Sequence, residues 1–268
     1  MMDFTCDALL AVLFAKADIN KIPLGGSFEL TPRCTLDCRM CYIHKKENDR
    51  LALAQELPTA FWLDMVAQLK AAGPITLLIT GGEPFLRKDF KEIYLAAKQA
   101  GLVVIVNSNG SLLTDDTISF LAQNPPARVN ISLYGASPET YRSLCGRGDI
   151  YAIVTENIRK LRRADVNVML HYTVTSYNLH DAPRIYSFAK ELGIRVKNAT
   201  YMFPPLRSCE RGCPEAVRMS PQEAAQAFVT CLGCQLSEAE FMEQATIYAK
   251  GAELLTESEP DEPRAPAE

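Results

Sequence analysis

Segments typical of β-strands alternate with segments typical of α-helices along most of the chain, and this alternation limits the possible folds more than any other feature. The predicted strands are residues 28–31, 75–80, 102–106, 128–134, 167–175 and 195–202. The predicted helices between them are residues 59–71, 89–100, 115–123, 150–163 and 181–192. Because strands that alternate with helices form βαβ units with parallel strands, we predict an α/β fold, a partial (β/α)6 TIM barrel.

The two ends of the chain depart from this pattern, so the sequence predicts four regions. Residues 1–27 are expected to form an N-terminal helix and linker, and residues 28–203 are expected to form the partial barrel. Residues 204–256 are predicted to be a C-terminal helical extension, in which a Ser-Pro pair at 220–221 is a typical helix start. Residues 257–268 are rich in Glu and Pro, so we expect a disordered acidic tail.

Composition and charge argue against two classes of partner. The net charge is −4, so there is no general basic field for nucleic acid or an anionic membrane, and no nucleic-acid partner is expected. Apolar stretches such as residues 8–15 and 102–106 are too short to span a bilayer, and no membrane partner is expected. Because Asp3 and Asp7 lie where a signal peptide carries basic residues, a cytoplasmic location is predicted.

Polar motifs follow the first three predicted strands, at the point where each strand ends. Cys34 follows the first strand, residues 81–84 follow the second, and residues 107–110 follow the third. In the fourth predicted strand, Asn130 and Ser132 alternate with apolar residues, so they are expected to point into the barrel. Because the chemistry of such barrels lies at the C-terminal ends of the strands, we expect these motifs to share one site.

The first motif places three cysteines, Cys34, Cys38 and Cys41, on one short loop. Clustered cysteines in a reducing compartment bind metal more often than they form disulfides. Three thiolates with this spacing can reach three corners of a [4Fe–4S] cluster, and one iron then stays open for another ligand. The alternatives are a zinc site or thiols without a shared role.

The second motif is Gly81-Gly82-Glu83-Pro84. Two glycines let a ligand approach the backbone closely, and Glu83 offers a carboxylate that can accept hydrogen bonds from an ammonium group. A Gly-Gly turn is common by itself, so the motif gains its meaning from its place after the second strand. The third motif, which begins at Asn107, is typical either of an Asn-Gly turn or of a ligand contact.

Together these motifs resemble the signature of the radical S-adenosylmethionine (SAM) superfamily, over residues 28 to about 201. The resemblance implies that Cys34, Cys38 and Cys41 bind three irons of a [4Fe–4S] cluster, whose fourth iron is chelated by the amino and carboxylate groups of SAM. It implies that the Gly-Gly-Glu-Pro motif binds the methionine amino group, that Ser132 contacts the methionine carboxylate or the ribose, and that the residue before the third cysteine lies near the adenine. The residues that the resemblance assigns to SAM are Met40, Gly81, Gly82, Glu83, Pro84, Asn107 and Ser132.

The order of the motifs is similar to that of the peptide- and protein-modifying branch, which includes sulfatase-maturating enzymes and maturases of ribosomal peptides. Membership would imply reductive cleavage of SAM to methionine and a 5′-deoxyadenosyl radical, which abstracts hydrogen from a peptide, protein or small-molecule substrate. It would also imply a flavodoxin- or ferredoxin-like electron donor. The alternatives are a glycyl-radical activating enzyme or small-molecule enzyme on the same scaffold, and a non-catalytic iron–sulfur or zinc protein.

Two further cysteine pairs, Cys209 with Cys213 and Cys231 with Cys234, lie after the predicted barrel. Relatives in this branch carry a C-terminal SPASM or twitch domain with auxiliary clusters. Four cysteines can hold zinc or a cluster, but these spacings do not match the SPASM pattern. We therefore predict no complete auxiliary cluster, with a zinc or auxiliary site as the alternative.

Overall fold

The structure is a computed structural model that describes residues 6–42, 45–202 and 217–257. The predictions for Cys209, Cys213 and the tail from residue 258 onward lie outside the described residues. The boundaries of the four predicted regions stay predictions, although the elements within them can be compared with the sequence.

In the described chain, six parallel strands form one open sheet, so the predicted α/β fold with a partial barrel is confirmed. The strands are, in spatial order, β1 (Gly25–Glu29), β4 (Thr76–Thr80), β5 (Val103–Ser108), β6 (Arg128–Ser132), β7 (Val168–Thr173) and β8 (Arg195–Ala199). Two short strands, β2 (Arg33–Cys34) and β3 (Lys45–Lys46), pair with each other. The first strand therefore begins inside the segment predicted as a linker, since Gly25 pairs with Thr76.

Helices separate the strands as predicted and cover one face of the sheet. They are α1 (Cys6–Asn20), α2 (Arg50–Ala54), α3 (Thr59–Ala72), α4 (Phe90–Gln99), α5 (Asp115–Gln123), α6 (Pro138–Cys145), α7 (Ile150–Arg163), α8 (Ala182–Glu191), α9 (Pro221–Gln235) and α10 (Glu238–Glu257). The start of α5 illustrates the local cause, because the Thr114 side chain accepts a hydrogen bond from the backbone N–H of Thr117.

The alternation of β6 sends apolar side chains towards the helices and polar side chains towards the other face. In β6 and the residue after it, Val129, Ile131 and Leu133 are completely or almost completely buried. Asn130 and Ser132 lie on the opposite, inner face, as the sequence predicts. The inner face is therefore the concave side of the partial barrel, and the core lies between the sheet and the helices.

The C-terminal segment contains two helices, α9 and α10, where the sequence pattern predicted one helical stretch. Ser220 forms a capping box with Glu223 at the start of α9. A second start follows at Ser237, whose backbone N–H donates to Glu240 Oε2 at 2.8 Å. Helix α9 packs against α8, where its Ala227 and Cys231 side chains are completely buried. None of the described helices combines the length and apolar character that a bilayer crossing requires.

Candidate functional site

The Gly-Gly-Glu-Pro loop runs directly beside the start of the cysteine loop. The backbone N–H of Gly82 donates to the carbonyl of Thr31 at 2.7 Å, and that of Glu83 donates to the carbonyl of Arg33 at 2.8 Å. A Cβ atom on Gly82 would lie 2.2 Å from the Arg33 carbonyl oxygen. Only glycine fits there, because a side chain would push the two loops apart.

Glu83 is a completely buried carboxylate at the centre of the site. The Ser108 hydroxyl donates to both of its oxygens at 3.0 Å, and the backbone N–H of Asn109 donates to Oε2 at 2.8 Å. Burial raises the pKa of the Glu83 carboxyl to about 7, and its hydrogen bonds oppose that rise. Within the described residues, no Lys or Arg forms an ion pair with Glu83, so this buried carboxylate has no cationic partner.

Cys34 lies against the same group of residues. The Asn109 side-chain amide donates to Cys34 Sγ at 3.3 Å, and the backbone N–H of Leu36 donates to it at 3.5 Å. Burial, followed by the negative charge of Glu83, raises the pKa of the Cys34 thiol to about 12. The third motif therefore joins the first two through Ser108 and Asn109.

Cys38 and Cys41 lie further along the loop. Cys38 is buried and its thiol lies against that of Cys145, at the end of α6. Cys41 is half-buried, and its backbone N–H donates to the Cys38 carbonyl at 3.0 Å. The backbone also ties the loop to α6, since the N–H of Asp37 donates to the Cys145 carbonyl at 3.0 Å.

The three cysteine thiols of the loop do not converge on one point. Among the residues that the structure describes, no three His, Cys, Asp or Glu side chains are arranged to hold a single metal ion. A cubane cluster takes each thiolate at a different iron and so needs sulfurs at separate corners. Cluster binding would require the Cys38 thiol to exchange its Cys145 partner for an iron.

A buried ion-pair network anchors both loops to the segment between α2 and α3. Arg33 Nε donates to Glu56 Oε1 at 2.6 Å, and Arg33 Nη2 donates to Glu56 Oε2 at 3.3 Å. Arg87, after the Gly-Gly-Glu-Pro loop, lies 3.7 Å from the same carboxylate and pairs with Asp89. The Thr31 hydroxyl also donates to Glu56. Glu56 was missed in the sequence because its segment contains no motif.

The remaining predicted site residues lie on or near the inner face of the sheet. Asn107 accepts a hydrogen bond on its side-chain oxygen from Asn130 at 2.7 Å, so its amide is engaged away from Glu83. Ser132 is half-buried and shares a hydrogen bond with the Tyr134 hydroxyl. Met40 is half-buried and packs against the core. The structure thus joins Cys34 to Glu83, while Asn107 and Ser132 are positioned separately on the inner face.

His171 continues the inner face beyond Ser132. Strand register places Ser132 opposite His171, and His171 opposite Lys197. The His171 Nε2 atom is buried and has no hydrogen-bond partner among the described residues. Burial, followed by the positive charges of Lys197 and Arg128, lowers the pKa of the imidazole to about 4. His171 is therefore neutral at physiological pH.

Comparison with known proteins identifies related sequences and folds. The sequence model of the radical SAM superfamily matches residues 28–189. An AdoMet-dependent heme synthase from Methanosarcina barkeri is 30% identical over 184 residues, which cover 69% of this chain and 52% of that protein. A PqqA peptide cyclase from Bradyrhizobium diazoefficiens is 29% identical over 188 residues, which cover 69% of this chain and 49% of that protein.

The fold comparison agrees with the sequence comparison. Streptococcus suis SuiB bound to S-adenosylmethionine superposes with a TM-score of 0.62 at 17% identity, covering 93% of this chain and 55% of that one. At this identity the likeness concerns the fold alone. The chain spans about half the length of the curated relatives that it matches.

Proposed function

The chain belongs to the radical SAM superfamily, and from this premise we propose that it is an enzyme that modifies a peptide or protein substrate. The family's cofactors are SAM and an iron–sulfur cluster. Once bound and reduced, they supply a carbon-centred radical that abstracts hydrogen from the substrate. A flavodoxin- or ferredoxin-like protein is proposed as the electron donor. The chain's own residues bind these groups, orient them and keep water away.

The observation that carries the proposal is the buried Glu83 carboxylate beside Cys34. Removing a carboxylate from water without a cation partner is unfavourable, as the raised pKa of Glu83 shows. A ligand ammonium group would supply the missing positive charge and form a charge-assisted hydrogen bond. The residues present therefore fit the amino group of SAM, and we propose that Glu83 binds it.

The proposed cluster ligands are Cys34, Cys38 and Cys41. Their soft sulfur donors suit iron, and the loop that carries them is held at its start and in its middle. At the start Arg33 is bound to Glu56, and in the middle the backbone N–H groups of Asp37 and Arg39 donate to carbonyls of α6. A loop held in this way keeps Cys34 next to Glu83, so SAM bound through its amino group would lie close to the proposed cluster.

A peptide substrate is supported by the relatives. The PqqA peptide cyclase is named for a peptide substrate, and SuiB shares the fold. The heme synthase is named for a small molecule, so the competing candidate is a small-molecule substrate in the same barrel. Incubation of the reduced enzyme with peptides encoded near its gene, followed by mass spectrometry, would distinguish the two.

The cofactor assignment is tested by anaerobic reconstitution with iron, sulfide and SAM. We expect about four irons per chain and formation of 5′-deoxyadenosine after reduction with dithionite. Glu83→Ala should keep the iron and weaken SAM binding by about one to two decades, because a charge-assisted contact is lost. The control is Glu92→Ala, which removes an exposed carboxylate on α4. Equal SAM affinity in both variants would contradict the role of Glu83.

A further inference from the structure

The edge strand β8 presents two cations on the inner face of the partial barrel. Its outer face is identified by Asn198, whose side-chain amide donates to the Tyr186 hydroxyl of α8 at 2.7 Å. Because successive residues of a strand point to opposite faces, Arg195 and Lys197 point to the inner face. Both side chains are exposed, so they are accessible from the concave side.

Among the described residues, these two cations lack carboxylate partners of the kind that some exposed cations on the helices have. Exposed ion pairs on the helices include Lys91 with Asp116, Lys160 with Asp115, and Arg163 with Glu156. Within the described residues, neither Arg195 nor Lys197 has such a pair. Strands β5, β6, β7 and β8 contain no Asp or Glu, so the strands beside these cations offer them no carboxylate. On the inner face, Glu29 of β1 lies at the opposite edge of the sheet.

A buried, unpartnered nitrogen lies beside the two cations. His171 Nε2 has no hydrogen-bond partner, and His171 pairs in register with Lys197. Unpaired buried polar atoms are rare in folded proteins and call for an explanation, such as a ligand. Neighbouring strands are about 4.8 Å apart, so Lys197 lies about 10 Å across the sheet from Ser132, the proposed SAM contact.

We propose that Arg195, Lys197 and His171 form a subsite that binds a carboxylate of the peptide substrate, an Asp or Glu side chain, next to the proposed SAM site. The proposal rests on the proposed function, whose substrate it makes more specific. A guanidinium and an ammonium group bind carboxylates through charge-assisted hydrogen bonds, and the neutral imidazole can donate one more. Without such a ligand, Arg195 and Lys197 have no counter-charge among the residues that the structure describes.

The test uses two dye-labelled peptides of seven residues that differ only in charge. One carries two Glu residues in a Gly-Ser background and an amidated C-terminus, and the other carries Gln at both positions. A third peptide has Gln side chains and a free C-terminal carboxylate, which separates side-chain from C-terminal recognition. Binding to the reconstituted, SAM-loaded enzyme is measured by fluorescence anisotropy at low ionic strength. We expect the Glu peptide to bind at least about tenfold more tightly than either Gln peptide.

Charge reversal distinguishes a local subsite from general electrostatic attraction. Lys197→Glu should abolish the preference for the Glu peptide, and Arg195→Met should reduce it. Lys190→Glu, on the exposed end of α8, changes the net charge by the same amount and should keep the preference. All three positions are exposed, so the variants are expected to fold, which circular dichroism checks.

Three results would overturn the inference. One is equal binding of the Glu peptide and the Gln peptide with the same C-terminal amide, and another is an equal loss of preference in Lys197→Glu and Lys190→Glu. Tighter binding of only the free C-terminal carboxylate would also contradict an acidic side chain as the ligand. Wild-type enzyme that forms 5′-deoxyadenosine but shows no preference would refute the subsite and leave the proposed function intact. Failure to form 5′-deoxyadenosine would refute the proposed function itself.

Discussion

At the scale of single residues, Glu83 and His171 are two buried groups whose pKa values are shifted in opposite senses from their ordinary values. The pKa of Glu83 is raised from 4.5 to about 7, so its contribution to stability is complete below pH 4.5 and is lost as pH rises through 7. The pKa of His171 is lowered from 6.5 to about 4, so its contribution is complete above pH 6.5 and is lost as pH falls through 4. Between pH 4.5 and 6.5 the two effects oppose each other.

In the cluster-free protein, single substitutions of Glu83 and His171 should therefore give the free energy of unfolding opposite pH dependences. In Glu83→Gln, the free energy of unfolding should rise with pH between 4.5 and 6.5, because only the effect of His171 is left. In His171→Gln, it should fall with pH over the same range. Urea unfolding at several pH values measures both. Parallel curves for the two variants would mean that neither group is perturbed as the structure indicates.

Asn109 combines structural and functional constraints in one residue. The Asn109 backbone N–H binds the Glu83 carboxylate while its side-chain amide binds Cys34. A substitution at Asn109 would therefore disturb both of the proposed cofactor contacts at once. In the sequence, Asn109 belongs to the third motif, whereas the ligand contact predicted from that motif is Asn107.

At the scale of structural elements, the buried carboxylate of Glu56 joins three separate parts of the chain. Its side chain and that of Arg33 are about one-tenth exposed, and both oxygens accept from the guanidinium. Arg87, which follows the Gly-Gly-Glu-Pro loop, lies against the same carboxylate. The relative position of the two cofactor loops therefore depends on a residue outside both of them.

Glu56→Ala should destabilise the protein by about 3–5 kcal/mol, because it leaves Arg33 buried without its counter-charge. The control is Glu156→Ala, which removes the partner of Arg163 in an exposed pair and should cost far less, because water screens that pair. Urea unfolding at neutral pH gives both values. Equal losses in the two variants would show that the buried network does not stabilise the loops.

At the scale of the whole molecule, the C-terminal helices bring a second group of cysteines to the outside of the barrel. Cys231 is completely buried between α9 and α8 and shares a hydrogen bond with the Tyr186 hydroxyl. Burial raises the pKa of the Cys231 thiol to about 11, and burial also raises that of Cys234. A complete metal site needs more ligands than these two thiols, and the described residues place no group of three metal-binding side chains around them.

We therefore expect all bound iron to depend on the first cysteine loop. A variant with Cys34→Ala, Cys38→Ala and Cys41→Ala should contain no stoichiometric iron or zinc, whereas Cys231→Ala with Cys234→Ala should keep about four irons. Elemental analysis of the anaerobically reconstituted proteins measures both. Metal that persists in the triple variant and disappears when Cys231→Ala is added would establish an auxiliary site.

The sequence by itself determined the features that depend on local patterns. Hydrophobic periodicity and capping residues such as Thr114 act within a few positions, so the alternation of strands and helices was predicted correctly. The predicted strand boundaries were less accurate. Strand β1 begins at Gly25, which has no strand propensity of its own and is extended because it pairs with β4.

Only the tertiary structure decided which side chains meet. Asn109 and Cys34 are separated by 75 positions, yet their side chains are in contact. The order of strands in the sheet is β1, β4, β5, so the end of β5 lies only two strands away from the end of β1. Three other features depend on the fold in the same way: the contact of Cys38 with Cys145, the role of Glu56, and the position of the two cations of β8 on the inner face. Contacts between distant residues depend on how the strands are arranged in space, and no local pattern in the sequence encodes that arrangement.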